Sequence, residues 1–451
     1  MELEKKNRIK TLSVRDVIHG SIELYPWEME IIDSNFFQRL RNIKQLGFAE
    51  FAYPCAVHNR YVHSIGACHL AGLMFQAIFK NHFFSSQAVY QNYYYLTRIC
   101  ALLHDIGHGP FSHAIEFAMP LAVKMQLPGE VLGKKKNRQA THEDYTLKII
   151  LESSLTPILE KVLSRFGITP KNIANVMNLS LSDKDTFFID KGINFRKVLH
   201  QIISSEIDAD RMDYLQRDSY YSGVSYGTFD CNWLLTNLNC YMDVKTKIAH
   251  LALSDRAIYT FEDFLLSRYH MFLMVYLHHK SVVYEEMLHR YIESNDCTFK
   301  VPSDIEEYAN LDDAALYGHL KKDHSNPWAK RILERKTYKV ALEIHGGINL
   351  KKDLLLDPRV KELINKLNAK KINHIETSSG KALSSYIKPN LGNLPLNTKA
   401  AEINENTIFV ESNDRMNPTK FIPLESQTDL FRKYAEAKNI IRIYIPENAK
   451  L

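Results

Sequence analysis

From the N-terminus to about residue 330, apolar residues recur at the three- and four-residue spacing of helices. Residues 34–47, SNFFQRLRNIKQLG, set Phe36, Phe37, Leu40, Ile43 and Leu46 on one stripe. Ser34 can cap the start and Gly47 can end the run in the left-handed region, so a helix is predicted across 34–47. Residues 69–79, 94–105, 194–219 and 261–291 carry the same periodicity. Residues 241–253 instead alternate around Lys245-Thr246-Lys247, which predicts a short hairpin. Residues 128–138, PGEVLGKKKNR, read as a loop whose basic run is a solvated one rather than a phosphate-reaching one.

The pattern changes beyond Lys336. Strand-like runs (YKVALEI, NTIFVES, IIRIYIP) now mix with helical ones (DPRVKELINKL, QTDLFRKYAEA), and residues 376–399, rich in Ser, Gly, Pro and Asn, read as loop. The prediction is a mostly α fold in two parts. A helical core with a short hairpin spans residues 1–330, and a smaller C-terminal α+β lobe spans 331–451.

Composition narrows the class. With 45% apolar and 24% charged residues the chain is ordinary for a globular protein, and a formal charge of +5 over 451 residues does not suggest a dedicated DNA-binding protein. The six cysteines form no CxxC pair, which fits reduced thiols better than a disulfide framework or a zinc knuckle. MELEKKNRIK has no apolar core for a signal peptide, and no apolar run approaches the ~18 residues of a membrane span. The expected location is cytoplasmic, with no membrane partner.

The chemistry concentrates in residues 102–116, LLHDIGHGPFSHAIE, where His104, Asp105, His108 and His113 fall within ten residues. A lone His-Asp pair means little, since about one is expected by chance among 19 histidines. The setting gives this pair weight: an otherwise apolar helix delivers it, and ionisable groups ending a buried helix need partners or a metal. Imidazole plus carboxylate suits Fe, Mn, Zn, Co or Ni. One segment cannot close such a site. Upstream, HNRYVHS offers His58, Arg60 and His63 just before an apolar helix. Downstream, Asp210, Asp213, Tyr214, Arg217 and Asp218 make one polar helical face, for which a solvated surface helix is an equally good reading.

FFQRLRNIKQLG (36–47), HNRYVHSIG (58–66), HDIGHGPFSH (104–113), THE (141–143) and DADRMDYLQRDS (208–219) together resemble the HD-domain deoxynucleoside triphosphate triphosphohydrolases. That group includes bacterial enzymes and the vertebrate enzyme that joins a sterile-alpha-motif domain to the HD domain. The resemblance covers roughly residues 12–330, and no sterile-alpha-motif domain is expected ahead of it. It implies an HD-domain core with His63, His104, Asp105 and Asp210 as ligands of a divalent transition metal, and Mg with the substrate phosphates. His108, His113 and His142 match active-site histidines, with Glu143 alongside. Glu116 stands where the family has an aspartate, one methylene shorter. Arg60 matches a phosphate-contacting arginine, and Arg211 stands where a lysine often reaches the phosphates. Tyr214 and Asp218 match residues near the sugar, and Gln45 and Leu46 residues beside the deoxyribose. Arg268 and Tyr276 fall in a similar substrate-lining segment. Each has a plainer reading: His108 and His113 as capping or pairing groups, His142 as a surface residue at a helix start, Gln45 and Tyr214 as polar tips in a core.

The activity implied is hydrolysis of a dNTP to deoxynucleoside and triphosphate by a homo-oligomer, dimer or higher. The alternatives are another HD-type phosphohydrolase (nucleotide phosphodiesterase, phosphatase or nuclease) and a non-catalytic nucleotide-sensing scaffold. Nucleic acid as a ligand stays open. Asp33, Gln38 and Arg41 match residues that bind a regulatory guanine nucleotide in some members, but the accompanying lysine and asparagine are here Leu12 and Arg15. Nucleotide-driven assembly is therefore expected to be altered or absent. Light scattering should give the same oligomer mass with and without GTP and dNTPs; GTP-dependent tetramerisation would refute this.

Overall fold

The computed structural model describes residues 11–132, 137–182, 186–346, 357–378, 407–412, 420–428, 430 and 439–450. Most of the expected helix over 427–437, most of the expected loop over 376–399 and the centre of the basic 128–138 loop lie outside these residues.

The protein is mostly helical, as the periodicity predicts, around one large apolar core. Helix Arg60–Ile78 lies at its centre and packs against Gln87–Leu103 on one side and Ala209–Ser222 on another. The hairpin forms from strands Leu238–Asp243 and Ile248–Ser254, antiparallel. Strand Ile248–Ser254 also pairs in parallel with Phe409–Ser412, which is followed by antiparallel Lys420–Pro423. Chain from beyond residue 331 thus completes a sheet begun by the helical part. A second sheet joins Tyr338–Gly346, Asn439–Pro446 and Ile375–Ser378. Helix Pro358–Ala369 lays Val360 and Leu367 on its Ile344, Ile441 and Ile443.

Three predicted helices are broken. Ser34 caps as expected, accepting from Phe37 N–H at 3.4 Å. The helix nevertheless gives way to a tighter 3₁₀ turn at Arg39–Asn42, and Ile43 is extended. There Arg60 N–H donates to Ile43 O at 2.9 Å, Gln45 N–H to His58 O at 3.0 Å, and Lys44 N–H to Asp313 Oδ2 at 3.1 Å. Backbone bonds to distant segments replace local ones and tie residues 43–45 to the strand-like entry of helix Arg60–Ile78. The run 194–219 divides into Arg196–Ile203 and Ala209–Ser222, because Asp208 caps the second helix through Arg211 N–H at 2.8 Å. The run 261–291 divides at a π turn, Phe272–Tyr276.

All six cysteines are free, with Cys68 and Cys100 buried. No helix among the described residues is long and apolar enough to cross a membrane.

Gly66 sets the closeness of the central helix pair. A Cβ there would stand 2.0 Å from Asp213 Oδ1 and 2.4 Å from Arg217 Nη2. Gly66→Ala is expected to lower unfolding stability by about 1–3 kcal/mol, as overpacking of a tight interior does. Urea denaturation measures it; an unchanged midpoint would contradict the close approach.

Candidate metal centre and adjoining histidine cluster

His63 lies one turn into helix Arg60–Ile78, His104 caps the end of Gln87–Leu103, and Asp210 opens Ala209–Ser222. Their packing brings three donor atoms into a triangle. His63 Nε2 is 3.0 Å from Asp210 Oδ1 and 3.3 Å from His104 Nε2, and His104 Nε2 is 3.3 Å from Asp210 Oδ1. Metal–ligand bonds of ~2.1 Å at angles of ~90–110° separate donors by about 3.0–3.4 Å, so the triangle fits a transition-metal ion. Asp105 stands at its edge, with Oδ1 3.3 Å from His104 Nε2 and Oδ2 3.6 Å from His63 Nε2.

The imidazoles are oriented for ligation. His63 Nδ1 donates to Asp213 Oδ2 at 2.8 Å, and His104 Nδ1 donates to Ala101 O at 2.7 Å. Each ring thereby turns its Nε2 lone pair into the triangle, the arrangement that fixes the tautomer of metal-binding histidines. Burial alone would lower the pKa of His63, but hydrogen bonds to Asp210 and Asp213 push it up to about 10. The pocket is built to hold positive charge, which a divalent cation supplies more strongly than a proton.

The face from Asp210 to Asp218 is largely interior, although the Asp210 side chain stays 32% exposed. Asp213 and Arg217 are 0% exposed and Asp218 is 2% exposed. Arg217 donates to Asp213 from Nε and Nη2, both at 2.8 Å, and to Asp16 Oδ2 at 2.8 Å; His19 Nε2 donates to Asp213 Oδ1 at 2.6 Å. Burial would raise the Asp213 carboxyl, but Arg217 and the two imidazoles hold it well below the carboxylate range. Asp213 was visible in the sequence only as part of a polar face; its role beneath His63, and that of His19, carried no local signal.

Asp105 links this triangle to a second cluster. Its carboxylate pairs with Arg60 Nη1, and Oδ1 lies 3.3 Å from His108 Nε2. The His108 and His142 rings stack at 3.9 Å, and His113 meets them edge-on at 4.9 and 5.3 Å. Glu116 Oε1 accepts from His142 Nδ1 and stands 3.3 Å from His113 Nδ1. Burial would raise Glu116, but these two histidines hold it far below its ordinary range. Half-buried His142 is held above its ordinary pKa, because Glu116 outweighs the desolvation that would lower it. Burial, with the charges of Arg60 and His142, pushes His108 well below. The pKa values of the two stacked rings are thus driven apart. Gly107 makes room for this stack: a Cβ there would stand 2.1 Å from His142 O. Glu143 is exposed on the first turn of His142–Leu151.

Some of the expected substrate residues adjoin one another. Tyr276 Oη donates to Asp218 Oδ2 at 2.8 Å, and His58 Nε2 donates to Asp218 Oδ1 at 2.8 Å. The Tyr214 ring lies 6.5 Å from His63 and 6.1 Å from Tyr276. Arg211 and Arg268 each donate to Glu206 Oε2 at 2.8 Å, a shared anchor that sequence reading did not single out. Gln45 Oε1 and Arg268 Nη2 are buried without a hydrogen-bond partner. Leu46 is half-buried beside Gln45. Arg60 is 4% exposed and committed to Asp105 and, through Nε, to Ser112 Oγ at 2.8 Å. Asp33, Gln38 and Arg41 gather elsewhere, around Tyr61. Arg41 Nε donates to Gln38 Oε1 at 2.8 Å, and its guanidinium lies 3.6 Å over the Tyr61 ring.

Comparison with known proteins agrees with this geometry. Residues 60–218 match the HD domain, and residues 230–360 match the HD associated region. The chain belongs to the HD-domain family. An uncharacterized protein of Methanocaldococcus jannaschii is 34% identical over 72% of this chain and 58% of its own length. The deoxynucleoside triphosphate triphosphohydrolase SAMHD1 homolog of Dictyostelium discoideum is 29% identical over 76% of this chain and 62% of its own. The chain thus spans about three fifths of the length of these curated relatives. The crystal structure of a hypothetical protein from Aquifex aeolicus aligns with a TM-score of 0.68 at 25% identity, covering 97% of both chains.

Removing the carboxylate beneath His63 should loosen the metal. Asp213→Asn is expected to weaken Mn binding about 10–100-fold, the usual effect of losing a partner that orients a metal-binding histidine. Equilibrium dialysis gives the value, and unchanged affinity would mean that His63 is oriented by something else.

Proposed function

We propose that this protein hydrolyses deoxynucleoside triphosphates to deoxynucleoside and triphosphate. The observation that carries the reading is the junction at Asp105, which joins a metal-binding triangle to a cluster of histidines around one carboxylate. A phosphate ester needs a nucleophile on one side and a proton donor for the leaving oxygen on the other, and the two clusters supply adjacent places for both. When bound, a divalent transition metal provides Lewis acidity and makes water nucleophilic near neutral pH; Mg accompanies the phosphates.

The chain's own residues do the rest. Arg60, Arg211 and Arg268 neutralise the phosphates, and the partnerless Nη2 of Arg268 is a donor in waiting. His113, its side chain 49% exposed, can reach the departing 5′-oxygen as general acid while Glu116 orients it. His142 shares the same carboxylate and keeps the cluster cationic. Tyr214, Tyr276 and Asp218 form the wall against which the sugar rests, and Gln45 Oε1 is a free acceptor beside it. The name of the Dictyostelium relative supports this substrate class.

Phosphorus NMR after incubation with each dNTP and NTP plus Mn or Mg should identify triphosphate as product. Orthophosphate or pyrophosphate would replace this reading with another HD-type phosphohydrolase. His104→Ala should abolish turnover, and undiminished activity would sink both.

Glu116→Gln tests the acid. It is expected to lower kcat about 100-fold or more with little change in KM. Losing the carboxylate also removes what holds His142 protonated. The His142 pKa falls toward its ordinary value, so NMR titration of its ring should show deprotonation at lower pH than in the wild type.

A further inference from the structure

Away from the HD centre, a thiol, an imidazole and a carboxylate converge on one point. Cys297 follows helix His279–Ile292, while His319 and Asp323 lie at the end of helix Asp313–Lys322. One donor atom from each residue lies within 4.8 Å of the other two. None of these elements carries a ligand of the HD triangle. His319 and Asp323 are four residues apart and so share a helical face, with His319 Nε2 3.3 Å from Asp323 Oδ2.

An ordinary helix ion pair explains the histidine and aspartate but not the thiol, which shares the Tyr291 hydroxyl with Asp323 and so is drawn to the same point, nor the way the group is buttressed. Tyr291 Oη donates to Asp323 Oδ2 at 2.6 Å, leaving Oδ1 and the remaining lone pairs for another partner. The Phe299 ring meets the His319 ring at 5.3 Å and 68°, fixing its plane. The turn that presents Cys297 is itself held. Cys297 N–H donates to Ser294 O at 3.1 Å, and Asn326 Nδ2 donates to Ser294 Oγ and Asp296 Oδ1, both at 2.9 Å. All three candidate ligands are half-buried, so an ion can enter while water is partly excluded.

We propose that Cys297, His319 and Asp323 bind a zinc ion that staples the turn after helix His279–Ile292 to the end of helix Asp313–Lys322. Thiolate, imidazole and carboxylate together suit zinc, with bonds of ~2.0–2.3 Å that place tetrahedral donors about 3.3–3.8 Å apart. Small side-chain rotations bring the present spacing to that value, and a water takes the fourth position. Binding replaces the thiol proton, which leaves to solvent, and the carboxylate and imidazole bind in their unprotonated forms.

Cobalt distinguishes this site from the HD centre, whose ligands are nitrogen and oxygen alone. Titrating the full-length, metal-stripped protein with Co(II) is expected to give a thiolate-to-cobalt charge-transfer band in the near ultraviolet. Cys297→Ser and His319→Ala should each abolish the band and lose one equivalent of tightly held zinc per chain, with turnover kept. Circular dichroism checks that each variant is folded, and the two substitutions fail independently. No band in the wild type, or an undiminished band in either variant, would overturn the proposal.

Discussion

The Asp213 carboxylate is sealed from water, and protein groups alone balance its charge: Arg217, His19 and His63 all donate to it. A buried charge on those terms is held strictly, because removing one partner of such a pair typically costs about 3–5 kcal/mol. The constraint spreads outward. Gly66 must lack a side chain so that helices Arg60–Ile78 and Ala209–Ser222 can meet over it. Arg217 must also reach Asp16, which binds the N-terminal strand Leu12–Asp16 to the centre. With His63 Nδ1 committed to this carboxylate, Nε2 can face only the triangle it shares with His104 and Asp210. One buried ion network therefore fixes both the helix packing and the direction of a ligand.

Asp105 performs the complementary task on the other side. Its neighbours are His104 and His63 in the triangle, and Arg60 and His108 toward the second cluster. The protonation of the two halves is therefore coupled through one side chain. Arg60 helps to hold the His108 pKa down, while Glu116 holds that of the stacked His142 up. Groups of one chemical type acquire different roles because burial and neighbouring charge act on them unequally.

Much of this was legible in the residues. The 3.6-residue period marked the helices, the alternation around Lys245-Thr246-Lys247 marked the hairpin, and the order of His63, His104-Asp105 and Asp210 marked the centre. What was not legible depended on distant partners. Residues 34–47 have a good helical stripe, yet residues 43–45 leave the helix because the 58–60 segment and Asp313 bond their backbone. Strand Phe409–Ser412 pairs in parallel with Ile248–Ser254, a segment far earlier in the chain, and no local pattern speaks for that pairing.

By itself, then, the sequence determined the helical periods, the caps, the hairpin and the residue types able to bind a metal. All of these depend on neighbours within a few positions, where spacing alone sets which side chains share a face. Only the tertiary structure decided that the Asp210–Asp218 face is largely interior, that Asp213 and His19 stand behind His63, and that Glu116 serves two histidines. A polar face looks the same in a sequence whether water or another helix covers it. The difference lies in which distant groups arrive to satisfy its charges, and that is settled by packing.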